Sequence, residues 1–444
     1  MCSLRRSLNA RRLSRVVATP RRDTPDALLL LKLLSVSAML PRAQDYCSLL
    51  AAACARRVDP ETALAIHLFC ARRGWCCQHD NDSVLRTRLW HMQLNNPIGL
   101  AAGFDKDAKA ACGLLRGGFG LVEVGSVTPA AQLGNARPRI FRLAEDAALI
   151  NRYNPSAGQT AVFANLFDQK ATPAPSDLPP PGNDFLMGAG PIGVNLGTTA
   201  PSSPMQAEGE FIAGIRSLGP LADYLCVNIS YPKAADAFQA SALGEEELRG
   251  EALRLMLRRL RAEVDALRPA SASSSASSAG TASTASIASQ PSLRPPPPLV
   301  LKVSPDLGNA QRAEVAAAAL AEGIDGIVVA NASLSRPKSL HCTPSTASEA
   351  GGLSGAPLRE ASVELLSDLY KRTSGRVPLI GVGGVSSGRD AYLRIRAGAS
   401  AVQLYTAFAH EGWPLLPRIK AELAALLKAD GYASVADAVG ADHR

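Results

Sequence analysis

Residues 299–331 read LVLKVSPDLGNAQRAEVAAAALAEGIDGIVVAN. An apolar, β-branched run opens the stretch at Leu299–Val303, and another closes it at Gly326–Ala330. Between them, Asn309–Glu322 has the length and apolar spacing of a helix. The stretch therefore predicts a strand–helix–strand unit, the building block of parallel α/β folds.

The same alternation extends both ways. Upstream lie Ile98–Leu100, Leu121–Val124, Ile192–Leu196 and Tyr224–Ile229; downstream lie Pro378–Val382 and Ala401–Tyr405. Helical stretches fall at Glu245–Leu267, Leu358–Thr373 and Gly388–Ala397, with a closing helix at Leu416–Ala429. Eight such runs predict an α/β fold, a parallel (β/α)8 TIM barrel over residues 91–430, followed by a tail at 431–444. Two inserts, 171–184 and 269–298, are rich in Pro and Ser, cannot bury a core and read as flexible surface loops. The second falls between a helix and the next strand, on the side of a barrel away from its active site. Residues 44–90 read as a helical region. Ser48–Val58 and Ala63–Arg73 are separated by Asp59-Pro60-Glu61, where Asp59 suits a cap and Pro60 a first helical position. Two helices of about 11 residues do not form a core alone, so they must cover something or lie on a membrane.

The chain has 444 residues, 47% hydrophobic and 19% charged, a globular composition. Its net charge of +8 raises the question of a nucleic-acid partner. Residues 1–22 hold seven arginines and no acid; without them 40 basic face 39 acidic side chains, a net of +1. The body thus has no basic bias, and no nucleic-acid partner is expected. An Arg-rich, acid-free start within residues 1–40 reads as a mitochondrial transit peptide or as a disordered basic tail. Ala27–Leu40 is apolar but spans 14 residues with Lys32 inside, against the roughly 20 needed to cross a bilayer. It reads equally as a short anchor or as the end of the leader. Nine cysteines without a CxxC pair suit reduced thiols, and the six histidines show no metal-ligand spacing. No metal is expected.

Function in this fold concentrates past the C-terminal ends of the strands. Those positions hold Lys106 and Lys302, charges that a packed barrel tolerates only with an anionic partner. They also hold Asn195, Asn228 and Asn331, donors and acceptors suited to a flat amide-rich ring. Gly383-Gly384 and Tyr405-Thr406 follow the last two strands, where bare N–H groups can approach a phosphate. Neither an acid pair nor a histidine is among them. The set describes a phosphorylated ring system beside an anionic substrate, and flavin mononucleotide (FMN) fits.

Beside this reading stands a resemblance. Asn96–Lys106 (NPIGLAAGFDK) resembles the opening motif of dihydroorotate dehydrogenase, class 2, the membrane-associated, quinone-linked form. Gln132–Leu143 (QLGNARPRIFRL), Leu149–Tyr153 (LINRY), Gly351–Leu358 (GGLSGAPL), Ile380–Ser386 (IGVGGVS) and Val402–Tyr405 (VQLY) continue it in order. Residues 59–63 (DPETA) resemble the helix pair that forms the quinone tunnel of that class. The resemblance implies an FMN enzyme of the mitochondrial inner membrane or another organelle. It would oxidise dihydroorotate to orotate and pass electrons to ubiquinone, in pyrimidine biosynthesis. Flavin contacts would be Ala102, Gly103, Phe104, Asp105, Lys106, Ser126, Asn195, Asn228, Lys302, Ala330, Gly355, Gly384, Tyr405 and Thr406. Substrate contacts would be Lys106, Asn151, Arg152, Tyr153, Asn228, Lys233, Asn331 and Ala332, with Arg139 on the quinone side.

The chain departs from the family at the substrate. The family's Asn-x-Ser-Ser-Pro-Asn reads Asn228-Ile229-Ser230-Tyr231-Pro232-Lys233, so Tyr231 stands where a serine takes the C5 proton. A phenol ionises near about 10, and the Lys233 cation favours its phenolate. The Asn-Arg-Tyr-Gly-Phe-Asn loop loses its Gly-Phe, Thr-Asn-Thr becomes Ala330-Asn331-Ala332, Thr198 replaces a lysine, and Leu64 replaces the helix-pair histidine. Two outcomes stay open: an active enzyme with a Tyr/Lys base variant, or an FMN-binding paralogue that has lost or changed the chemistry.

Overall fold

The computed structural model describes residues 58–74, 81–171, 190–199, 203–230, 246–268 and 295–444. The leader and Ala27–Leu40, the first expected helix up to residue 57, most of both inserts, Tyr231 and Lys233 lie outside the described residues.

Eight parallel strands close a barrel: β1 (Ile98–Leu100), β2 (Leu121–Val127), β3 (Ile192–Leu196), β4 (Tyr224–Asn228), β5 (Leu299–Val303), β6 (Gly326–Val329), β7 (Leu379–Val382) and β8 (Ala399–Leu404). Each pairs with the next in sequence, and β8 returns to β1. Every residue of β3, β4 and β5 is buried, which is why these strands read as continuous runs rather than as alternation. The expected helices are present at Glu246–Asp265, Asn309–Ala321, Arg359–Thr373, Gly388–Arg396 and Leu415–Ala429. Outward-facing strand residues such as Leu301, Ile327 and Val402 pack beneath them in one core with Leu257, Leu366, Ile395 and Leu423. Burying one such side chain contributes about 1.5–3 kcal/mol.

Part of the region read as helical is not helix. Thr87–Leu89 and Met92–Leu94 form an antiparallel hairpin. Leu89 and Leu94 push into the N-terminal mouth of the barrel against Leu121, Tyr224, Val300, Val328 and Ile380. At the tip of the hairpin, Trp90 Nε1 donates to the Asp325 carbonyl at 2.6 Å, and its ring lies 5.3 Å from that of Tyr224. The end of the barrel opposite the predicted site is therefore plugged. The predicted second insert also ends early. Pro297 and Pro298 are buried, and the Pro298 carbonyl accepts from Leu225 N at 2.9 Å, leading straight into β5.

A second sheet, not foreseen, stands over the C-terminal mouth. Its antiparallel strands are Ile140–Leu143, Ala148–Asn151 and Gly352–Gly355, with Ala148–Asn151 in the middle. Against it lies the cap helix Pro60–Arg72, where Asp59 Oδ2 accepts from Thr62 N at 3.0 Å and Pro60 begins the first turn, as expected. The helix meets Ala111–Arg116 backbone to backbone: a Cβ on Gly113 would lie 2.1 Å from the Ala71 carbonyl oxygen. The tail folds back as well, with Gly440 N donating to Ile395 O at 3.0 Å and His443 stacked on Tyr370. Among the described residues no helix is long and apolar enough to cross a membrane.

Two glycine substitutions test this packing. A Cβ on Gly193 in β3 would lie 2.0–2.4 Å from ring atoms of buried Tyr224, whereas one on exposed Gly209 of helix Pro204–Leu218 meets nothing within 4 Å. Gly193→Ala should lower the free energy of unfolding by about 1–3 kcal/mol or more. Gly209→Ala should leave it unchanged or raise it by up to about 1 kcal/mol. Denaturant midpoints of the two variants measure both.

Candidate functional site

The C-terminal ends of seven of the eight strands, all but β3, and the second sheet enclose a cavity of about 880 Å³. Most of the residues singled out by sequence share its wall: Ala102, Gly103, Lys106, Ser126, Asn151, Arg152, Tyr153, Asn228, Lys302, Ala330, Asn331, Ala332, Gly355, Gly384, Tyr405 and Thr406. Three of the expected flavin contacts do not line it. Phe104 is buried among Phe408, Tyr405 and His67. Asp105 accepts from Lys109 N and Ala110 N, both at 2.7 Å, and shapes the turn after β1; burial still raises its carboxyl to about 6. Asn195 is wholly buried one layer below the wall.

That lower layer is organised by a residue the strand-end reading passed over. Glu123, in β2, is wholly buried inside the barrel. Its Oε1 accepts from Asn195 Nδ2 at 2.8 Å and lies 3.7 Å from Lys302 Nζ. Its Oε2 accepts from Tyr224 OH at 3.1 Å and Gln403 Nε2 at 3.0 Å. A chain of side chains climbs from there to the mouth. Asn195 Oδ1 accepts from Ser126 Oγ, and Ser126 Oγ accepts from Asn228 Nδ2 at 3.0 Å. Asn228 Oδ1 accepts from Ser230 Oγ, and Ser230 Oγ accepts from Asn331 Nδ2 at 2.7 Å. One signal in the sequence marks Glu123, an acid inside an otherwise apolar strand run; Gln403 in β8 carries the same signal more faintly.

The cavity is built for an anion. Lys106 and Lys302 both face it. Burial, with Lys302 and Arg139 adding repulsion against the pull of Asp107, lowers Lys106 to about 8. A lysine so placed gains most when a negative ligand restores its charge.

Toward β7 and β8 the wall becomes backbone. Gly383 (φ +103°) and Gly384 (φ +71°) turn the chain, and a Cβ on Gly384 would strike the Arg359 backbone at 2.6 Å. Among the described residues no acceptor meets the Gly384 or Val385 N–H. Bare amides on a glycine turn at this position fit a phosphate. Near β1, Gly103 (φ +105°) lies against the Tyr405 ring, which a Cβ would approach to 3.3 Å. A phosphate cradle, asparagine side chains and two lysines together fit a phosphorylated flavin.

The opposite rim meets the cap helix. Arg139 does not line the cavity. It grips Glu61 in two parallel bonds of 2.9 and 3.0 Å, and its guanidinium lies 4.6 Å from the centre of the Tyr153 ring. A small apolar pocket between cap and barrel is lined by Leu64, His67, Phe104, Ile140, Arg142, Leu149 and Tyr405. Buried His67 donates its Nδ1–H to the Ala63 carbonyl, 2.8 Å away, and burial lowers its pKa. So this pocket holds an imidazole even though Leu64 occupies the position examined in the sequence. Ser230 and His410 also line the main cavity without having been singled out.

Known proteins share this arrangement. A family model described as dihydroorotate dehydrogenase matches residues 84–427. The mitochondrial dihydroorotate dehydrogenase (quinone) of Arabidopsis thaliana is 41% identical over 400 residues, covering 87% of this chain and 80% of that protein. Its Mus musculus counterpart is 40% identical, covering 90% and 91%, and the Rhodospirillum rubrum dihydroorotate dehydrogenase (quinone) is 42% identical, covering 87% and 92%. The crystal structure of the ligand-free enzyme from Eimeria tenella superposes with a TM-score of 0.73 at 35% identity, covering 87% of this chain and all of that one. With the closed barrel, the cap and the cavity between them, the chain belongs to the flavin-dependent dihydroorotate dehydrogenase family, in its quinone-linked class.

Proposed function

We propose that this chain is an FMN enzyme that oxidises dihydroorotate to orotate and delivers the electrons to a quinone, in pyrimidine synthesis. One observation carries the reading: Lys106, Lys302 and the Asn228–Ser230–Asn331 chain converge on one cavity beside a glycine cradle of unpaired amides. Gly355, Gly384 and the Tyr405-Thr406 amides would hold the FMN phosphate; Ala102, Gly103, Lys106, Ser126, Asn228, Ala330 and Lys302 would face the ring. FMN held there would supply the two-electron acceptor for the substrate's hydride and the route onward to a quinone. Lys302 favours negative charge on the cofactor side of the cavity. Lys106 attracts the substrate carboxylate, and Asn151, Arg152, Tyr153, Asn228, Lys233, Asn331 and Ala332 surround the substrate ring. Asn195, one layer down, acts by holding Ser126.

The proton from the substrate goes to a hydroxyl at the exit of β4. In the proposed site this is Tyr231, with Lys233 favouring its ionisation. Ser230 supports a second reading, because its hydroxyl lines the cavity between Asn228 and Asn331. The quinone approaches from the cap helix, past Arg139 and the pocket holding His67. We assign the chain to the mitochondrial inner membrane, attached through its N-terminal region. The mitochondrial relatives and the acid-free arginine cluster of residues 1–22 support this, and the nearly neutral remainder disfavours nucleic acid.

Three measurements test these assignments. Dihydroorotate added without oxygen to the flavin-loaded protein should bleach the flavin, and a soluble ubiquinone analogue should restore its colour. A flavin that stays oxidised overturns the function. Tyr231→Phe should slow that bleaching about 10²–10⁴-fold while the protein still binds orotate; full activity in Tyr231→Phe together with loss in Ser230→Ala moves the role to Ser230. Finally, Lys106 is charged below pH about 8 and neutral above it. Orotate affinity should therefore fall as pH rises through about 8, by up to about tenfold per unit, and Lys106→Met should flatten the profile.

A further inference from the structure

Behind the glycine cradle lies a cation with no carboxylate of its own. Arg394, on helix Gly388–Arg396, is wholly buried. Its Nη1 donates to the Asp390 carbonyl at 2.9 Å. Its Nη2 donates to Ser362 Oγ at 2.8 Å, to the Arg359 carbonyl at 3.2 Å and to the Gly383 carbonyl. All four partners are neutral oxygens, and Nε has no partner among the described residues. The nearby carboxylate of Asp390 is already committed. It pairs with Arg359 Nε at 2.8 Å and accepts from Ser386 N, Ser386 Oγ and Ser387 Oγ. Arg359, itself largely exposed, thus takes the one nearby carboxylate, and Arg394 is left as a positive charge inside the fold. Burial pushes Arg394 down to about 10, the mark of a cation still lacking an anion.

The geometry shows where that anion belongs. Ser362 Oγ also donates to the Gly383 carbonyl, at 3.0 Å, so this oxygen is fixed on the helix side. In a trans peptide the N–H points opposite to the C=O. The Gly384 N–H is therefore directed away from Arg394, and Gly383 and Gly384 both line the cavity. Arg394 polarises that peptide and adds its charge behind it.

We propose that Arg394 is a positioning residue that makes this cradle selective for a phosphorylated ligand, acting through the Gly383–Gly384 peptide without touching the phosphate. The proposal rests on the FMN reading and adds the source of the phosphate preference. Flavin-free full-length protein would be titrated with FMN and with riboflavin, which lacks the phosphate. The wild type should bind FMN more tightly. Arg394→Met should lose about tenfold or more in FMN affinity, the scale of one charge-assisted contact, with riboflavin affinity held within about threefold. Arg394→Lys should recover part of the preference. Ser362→Ala removes a neutral donor to the same carbonyl and should lose less than Arg394→Met, so it keeps the test readable if the methionine variant folds poorly. Equal losses for both flavins, or an unchanged ratio, overturn the proposal. Wild-type protein that takes up riboflavin but shows no preference for FMN also overturns it. Wild-type protein that takes up neither flavin overturns the cofactor reading itself, and the inference with it.

Discussion

A carboxylate sealed inside a barrel sets the terms for everything above it. Burying an ion costs several kcal/mol unless its partners are close and its lone pairs are filled. Glu123 meets that demand with Asn195 from β3, Tyr224 from β4, Lys302 from β5 and Gln403 from β8. Five strands thus share one polar knot, and a slip in register of any of them would strand a charge. The same knot fixes Lys302 and Asn195, and through Asn195 it aims Ser126 and Asn228 at the cavity. Fold and site rest on one constraint, with the plugging hairpin below supplying the dry surroundings that make it strong.

Positive charge in this protein is local. The barrel and its additions are close to neutral overall, yet Lys106, Lys302 and Arg394 all sit at or just behind one cavity. At the rim, by contrast, Arg139 and Arg137 both pair with Glu61 of the cap helix. Lys302 shares Glu123, and the positive charge left over inside attracts a small anion. Ion pairs at the edge tie the cap to the loop that follows β2.

The sequence was readable where chemistry and period coincide. Parallel strands buried on both faces leave uninterrupted apolar runs, so β1 to β8 could be placed to within a few residues. The family motifs then located the cavity wall. The hairpin at 87–94 was hidden because each of its strands is three residues long, too short for any period to show. The second sheet was hidden because Ala148–Asn151 pairs with Gly352–Gly355, some two hundred positions away, and nothing local announces such a partner. Asn195 looked like a ligand contact from its place at a strand end, yet its side chain turns inward to Glu123. Arg394 looked like any basic residue on an amphipathic helix, and only the packing shows that it carries no counter-ion.

The hydrogen-bond chain from Asn331 to Glu123 has a direction. Every link donates downward, because the last member can only accept. Asn331 thereby spends an N–H on Ser230, Asn228 spends its carbonyl oxygen on Ser230 and an N–H on Ser126, and neither side chain can flip without breaking the links below. The wall thus carries a fixed pattern, with the Asn331 oxygen left to accept and a remaining Asn228 N–H left to donate. A planar ligand with its own alternating N–H and C=O groups fits that pattern in one orientation and clashes with it when turned over. The buried acid, which touches no ligand, in this way dictates which face of a ring the cavity accepts.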